Sequence, residues 1–305
     1  MERLLKGTTA YKILSGDRAL TRLSHAYMLD FQDEKNLFGA LKIFALEFFG
    51  TTADTTLGAR ILNGSFPDCK FYPQDGKKLN ADAVSEILED SVLRPVEGNK
   101  KLYVISGFES ASALLQNKLL KTLEEPVEGI HFLLGACSLS PVLDTVKSRV
   151  KILSVAPFTE RQIFEALERQ GKNELNAVAA QSSGGILGNA ENMVSGGWFE
   201  EVLKASEEIC SSARTEDYGA IALKYADIKY KNELLCEMQR LYFSLLKDGE
   251  RAKKYKLCTH SLVFALEKLN GAFADMRFNA NFQGLLYDFM LEVAKENKKW
   301  QRLQQ

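Results

Sequence analysis

The sequence predicts an α/β domain built on a parallel sheet over residues 1–156, a small helical domain over 157–196 and an all-helical domain over 197–305. Three observations lead there. All six prolines fall at or before Pro157, so the punctuation of strands and loops stops where the helical half begins. Short β-branched or aromatic runs alternate with helical patterns in the first half, the mark of a parallel sheet. Two Ser/Gly clusters then divide the proline-free half.

In chain order, His25-Ala26-Tyr27-Met28-Leu29 reads as the first strand. A helix follows with Leu37, Leu41, Phe44 and Phe48 on one face. Leu102-Tyr103-Val104-Ile105 and Phe132-Leu133-Leu134 read as further strands. Between them, Leu115, Leu119 and Leu123 predict a core-facing stripe on a helix that must stop before Pro126. Ser140-Pro141 predicts a helix start, serine capping and proline in the first turn, with the helix running from Val142 to Arg149. Thr159-x-x-Gln162 is a capping-box pattern, and Gly171 marks the end of the helix it opens. Ser182-Ser183-Gly184-Gly185 and Ser195-Gly196-Gly197 are breaks, the second a hinge before the block that starts at Trp198.

With 305 residues, 46% apolar and 26% charged, the chain has an ordinary globular composition. A net charge of −1 excludes a global basic field for independent attachment to nucleic acid. The longest apolar-rich stretch, Leu37 to Phe49, is broken by Lys42 and Glu47, so no transmembrane helix is predicted. Met1 to Leu20 mixes charges without an apolar block, which predicts no export signal and a cytoplasmic location. Five widely spaced cysteines with no C-x-x-C pair predict free thiols rather than disulfides or a zinc site.

The most distinctive string is Asn117-Lys118-Leu119-Leu120-Lys121-Thr122-Leu123-Glu124-Glu125-Pro126, followed by Ser148-Arg149-Val150. These resemble the N-x-L-L-K-x-L-E-E-P and S-R-C motifs of the bacterial clamp-loader AAA+ family. Leu23 to Leu29 looks like that family's H-A-Y-L-F strand, and Asn279-Ala280-Asn281 is similar to the N-x-N of its collar domain. The resemblance implies an AAA+ domain, a helical lid and a helical collar that joins the subunits. It also implies gamma/tau and delta subunits as partners, with the sliding clamp and primed DNA engaged through the assembled complex.

Several family elements are missing. Where the phosphate loop is expected, Phe31, Glu34 and Asn36 stand at glycine positions and Leu37 at the lysine's. Asp30, Asp33 and Glu34 put negative charge where phosphate would sit, each close like-charge pair costing about 1 to 4 kcal/mol. Lys35 reads as a solvated helix-start lysine. Ser106-Gly107 replaces the metal-binding aspartate, leaving Glu109 as a helix N-terminal acid, and Gly135-Ala136-Cys137 replaces the polar sensor. Asn189 stands near the second sensor's arginine, and Gly50 to Lys70 holds only Cys69 of the four-cysteine zinc module.

No cofactor or metal is therefore expected, and no intrinsic ATPase. The resemblance implies that Arg149, supported by Ser148, acts in trans as an arginine finger on a neighbour's ATP site. Lys118 and Lys121 become candidates for DNA-phosphate contacts, because the family places that helix near the centre of the assembly. Arg251-Ala252-Lys253-Lys254-Tyr255-Lys256 and Lys298-Lys299-Trp300 read as solvated faces. Two alternatives stay open: an active ATPase subunit with a divergent loop, and a helical scaffold repurposed outside replication.

Overall fold

The computed structural model describes residues 1–73, 78–276 and 281–303. The chain forms two compact units, Met1–Asn192 and Met193–Gln305. Asn279 and Ala280 of the N-x-N motif lie outside the described residues; Asn281 sits just ahead of the last helix and accepts from the Gln283 N–H at 3.1 Å.

In the first unit the order is α1 (Glu2–Lys6), α2 (Thr9–Ala19), β1 (Ala26–Asp30), α3 (Glu34–Phe49), α4 (Thr56–Leu62), β2 (Cys69–Tyr72), α5 (Ala81–Asp90) and β3 (Lys101–Ile105). A 3₁₀ turn (Phe108–Ser110) leads to α6 (Ala113–Glu124), β4 (Ile130–Ala136), α7 (Asp144–Lys147), β5 (Lys151–Ser154), α8 (Glu160–Gln170), α9 (Asn176–Ser182) and α10 (Leu187–Ser195), whose last turn runs past the boundary at Asn192. The second unit holds α11 (Phe199–Thr215), α12 (Tyr218–Lys224), α13 (Lys231–Lys247), α14 (Gly249–Lys254), α15 (Thr259–Met276) and α16 (Phe282–Leu303).

All five strands are parallel, in the order β2-β3-β4-β1-β5. The expected parallel α/β sheet and helical remainder are both present. Helices cover both sides of such a sheet, which is why β1 and β3 read as unbroken apolar runs rather than alternating ones. Ala26 to Leu29 and Leu102 to Ile105 are fully buried. The α3 stripe holds as read, Leu37, Leu41, Phe44 and Phe48 all being buried. On α6, Leu119 and Leu123 face the core, but Leu115 is half-buried and the fully sheltered neighbour is Gln116.

Both cap readings on α8 hold. Thr159 and Gln162 form a reciprocal capping box, and the helix ends at Gly171. The Ser140-Pro141 reading does not. The helix begins only at Asp144, and Leu143 at its cap position has no side-chain oxygen to offer. Gln116 takes over from a distance: its Oε1 accepts from the Leu143 N–H at 2.9 Å, while its Nε2 donates to the Ala111 and Pro141 carbonyls at 3.0 and 3.2 Å. One buried amide thus ties the start of α6 to the loop that carries α7 and Arg149. Among the described residues, no helix is long and apolar enough to cross a membrane.

Candidate functional site

Parallel α/β sheets bind ligands at the carboxyl ends of their strands, where the strand order reverses. Here β1 lies between β4 and β5 while its own connection runs to the far edge at β2, so that point lies at the ends of β1, β3 and β4. The residues there are Phe31 to Asp33, Ser106 to Glu109, and Cys137.

Only three residues separate β1 from α3, because the helix starts at Glu34. Phe31 turns inward, 4% exposed, with its ring edge-on to Phe158 at 6.4 Å. Asp33, 2% exposed, caps α3: its carboxylate accepts from the Asn36 N–H at 3.1 Å and the Asn36 side-chain amide at 2.9 Å. A helix N-terminus attracts anions through its free N–H groups and positive dipole end. In this chain the anion is the protein's own.

The same carboxylate accepts from the Gly188 N–H of α10 at 2.8 Å. Glycine is required there, since a Cβ at position 188 would stand 2.2 Å from Asp33 Oδ1 and 2.9 Å from Lys35 Cβ. A second clasp lies beside it. Lys35 Nζ pairs with Glu191 at 3.1 Å, so it is not a merely solvated lysine; the reading from sequence had no means of seeing a partner 156 positions away. Burial opposes ionisation of Glu191, but hydrogen bonds from Gln170 and Lys35 outweigh it and hold the carboxyl below its usual range. Asn189, at the second-sensor position, is exposed, and its amide nitrogen lies 3.4 Å from the Ser183 carbonyl.

Beside this plug is a cleft of about 300 Å³ lined by Glu34, Leu37, Phe38, Lys78, Ser106, Glu109 and Cys137 among others. Glu109 does not start an α-helix. It sits in the 3₁₀ turn entered through Gly107 at φ 65°, and one of its carboxylate oxygens is buried without a hydrogen-bond partner. Burial, followed by the charges of Glu109 and Glu34, pushes the Cys137 thiol up to about 12. With two carboxylates against Lys78, the lining offers a phosphate chain net repulsion. Among the described residues no group of three or more His, Cys, Asp or Glu is placed to hold a metal.

Arg149 follows α7, whose C-cap is Ser148. Its Nε donates to Glu124 Oε1 at 2.6 Å, and a second guanidinium nitrogen pairs with the same carboxylate. A terminal nitrogen also donates to the Thr145 carbonyl at 2.7 Å and the Ser148 hydroxyl at 3.1 Å. The two strings singled out in the sequence therefore meet: Glu124 of the Asn117–Pro126 segment holds Arg149 of the Ser148–Val150 segment. With 31% and 45% of the two side chains exposed, the pair contributes about 0 to 1 kcal/mol. It orients the guanidinium without trapping it.

Lys118 and Lys121 lie one turn apart on the exposed side of α6, opposite Leu119 and Leu123. The residues that sequence reasoning missed are Gln116, Gly188 and Glu191. Only Gly188 carried a signal, as one of the glycines in the segment following the Ser182–Gly185 break.

A family profile described as "DNA polymerase III, delta subunit" matches residues 7–159. The DNA polymerase III subunit delta' of Bacillus subtilis is 28% identical over 165 residues, covering 52% of this chain and 50% of that protein. The delta' subunit of Haemophilus influenzae is 32% identical over 111 residues, or 36% and 34% of the two chains. These matches span about half the length of the relatives or less. Among solved structures, a Thermotoga maritima gamma subunit-related protein of DNA polymerase III aligns over 93% of this chain and 99% of its own, at 15% identity and a TM-score of 0.47.

Proposed function

Because the chain belongs to the DNA polymerase III delta-subunit family, we propose that it works as a delta-prime-like clamp-loader subunit that hydrolyses no ATP itself and completes a neighbour's ATP site with Arg149. The observation that carries this reading is the buried Asp33 carboxylate at the start of α3. It uses the donors a phosphate would need, on a loop with neither the glycines nor the lysine of a phosphate cradle. The acidic cleft beside it adds repulsion, so the residues present do not fit a nucleoside triphosphate.

Arg149 is the complementary half of the argument. A guanidinium is always charged and presents a planar fork of donors suited to phosphoryl oxygens. An arginine supplied in trans is worth roughly 10³ to 10⁵ in rate in phosphoryl-transfer systems. Against that gain, the weak and exposed contact with Glu124 is a small cost to give up. In this reading residues 157–196 form the lid, 197–305 the collar, and Lys118 and Lys121 face primed DNA in the assembly. Gamma/tau and delta subunits are its partners, and the sliding clamp is the cargo of the complex.

The test has two arms. The isolated chain should bind no Mg²⁺-ATP at micromolar concentration; tight binding would return the reading to an active ATPase subunit. In a loader reconstituted with gamma/tau and delta, Arg149→Ala should assemble normally and lose at least tenfold of the DNA- and clamp-stimulated ATPase rate. Unchanged turnover refutes the finger, and failure of the wild-type chain to co-assemble refutes the clamp-loader role.

A further inference from the structure

The basic run Arg251 to Lys256 plays no part in the reading above, and the structure gives it a shape. Lys247 to Lys256 holds five basic and two acidic residues in a chain of net charge −1. Between α11 and α14 lies a cleft of about 320 Å³ lined by Ser211, Arg251, Lys254 and Tyr255. That is the small end of the usual range for ligand clefts, roughly 300 to 1,000 Å³.

The charges there are uncommitted. Lys253 pairs with Glu250 at 2.6 Å, and Asp248 accepts from the backbone N–H of Arg251, whereas Arg251 and Lys254 form no ion pair among the described residues. Glu207 on α11 is near enough to act on Tyr255 through its charge, but among the described residues it forms no ion pair with Arg251 or Lys254. Burial pushes the Tyr255 hydroxyl up from its ordinary value, so it stays protonated and able to donate. A guanidinium, an ammonium and two hydroxyls therefore line one small cleft.

An independent feature lies one residue on. Lys256 has φ 55°, the left-handed conformation in which a side chain costs about 1 to 2 kcal/mol and glycine is the usual occupant. The turn closes α14 through Lys256 N–H to the Lys253 carbonyl at 3.0 Å and Leu257 N–H to the Ala252 carbonyl at 3.3 Å. Asn297, 3% exposed, secures it: its amide donates to the Lys256 carbonyl at 2.7 Å and accepts from the Cys258 N–H at 3.0 Å. A lysine is thus held where folding alone favours glycine, and such strain clusters at ligand-binding sites.

We propose that the cleft formed by Ser211, Arg251, Lys254 and Tyr255 is a binding site for backbone phosphates of single-stranded nucleic acid, with Lys256 adding charge beside it. The single-stranded form is favoured by the Tyr255 ring, which lines the cleft beside Arg251 and Lys254, because an aromatic among cations suits unpaired bases. The site does not depend on Arg149 or on the state of the phosphate loop.

The experiment measures binding of a fluorescein-labelled 20-nucleotide DNA strand to the full chain from 25 to 200 mM salt. Arg251→Gln/Lys254→Gln should weaken binding about tenfold at low salt and flatten the log–log salt slope by about 1.4, two contacts at about 0.7 each. The charge-matched pair Lys204→Gln/Lys229→Gln should stay within twofold of wild type. Lys256→Gly should raise the thermal midpoint while weakening binding about threefold, a pairing that a structural role for the lysine would not give. Equal weakening by the two double variants, no binding by the wild type, or displacement by an acidic peptide as effective as by inorganic pyrophosphate overturns the proposal.

Discussion

Replacing Asp33 with alanine tests the internal plug most directly. The variant removes the α3 cap, worth about 1 kcal/mol, together with the acceptor for the Asn36 side chain. It also strands the buried Gly188 N–H, and an orphaned buried donor costs about 1 to 3 kcal/mol. The sum is a loss of about 2 to 4 kcal/mol, read by urea denaturation followed through far-ultraviolet circular dichroism. Gly188→Ala should be comparably harmful alone, since its new Cβ would collide with the Asp33 carboxylate. Combined with Asp33→Ala it should cost less than the sum of the two, because that collision disappears while the one with Lys35 Cβ remains. The double-mutant cycle separates a true contact from two unrelated defects. Asp33→Ala should not acquire ATP binding either, as glycines and lysine are still absent. A stability loss below about 1 kcal/mol, strict additivity with Gly188→Ala, or a gain of Mg²⁺-ATP affinity would refute the plug.

Two further outcomes follow from the ionisable groups. Asp90 meets the buried Lys101 at 2.6 Å; burial opposes its ionisation, but Lys101, Tyr103 and Lys70 prevail and bring its carboxyl down to about 2 from 3.8. A lowered folded value means stability fully present above about pH 4 and lost as pH falls through about 2, about 2 kcal/mol in all. Lys101→Met should cost about 3 kcal/mol near neutrality and shrink that acid limb, and an unaltered acid-unfolding profile would contradict it. Cys137, with its thiol pushed up to about 12, should resist iodoacetamide at pH 8 and react faster in Glu109→Gln. Peptide mapping that finds Cys137 alkylated as fast in the native chain as in urea would show the cleft to be neither closed nor acidic.

The resemblance carried by Asn117 to Pro126 and Ser148 to Val150 was available from sequence because motifs of this kind are continuous strings. The α3 stripe and the capping box at Thr159 were legible for a similar reason: helical periodicity and cap chemistry act over three or four residues. The misreadings share a cause as well. Ser140-Pro141 looked like a helix start because the local rule favours it, but Gln116, 27 positions before Leu143, supplies the hydrogen bond that sets the actual start. Glu109, read as a helix N-terminal acid, does stand in a first turn, but of a single 3₁₀ turn rather than an α-helix, and its place beside Cys137 depends on how β3 and β4 align.

From the sequence alone came the parallel α/β body with helices after it, the absence of phosphate-loop glycines and lysine, and the Ser148-Arg149 string that makes Arg149 the candidate finger. Each is written in neighbouring residues. The tertiary structure alone decided what replaced the missing loop and where Arg149 rests. Asp33 reaches Gly188 and Lys35 reaches Glu191 across more than 150 positions, and Glu124 reaches Arg149 across 25. Hydrogen bonds and ion pairs act over about 3 Å in space whatever the separation along the chain. Only the packing of α3 against α10 and of α6 beside α7 brings those groups within range.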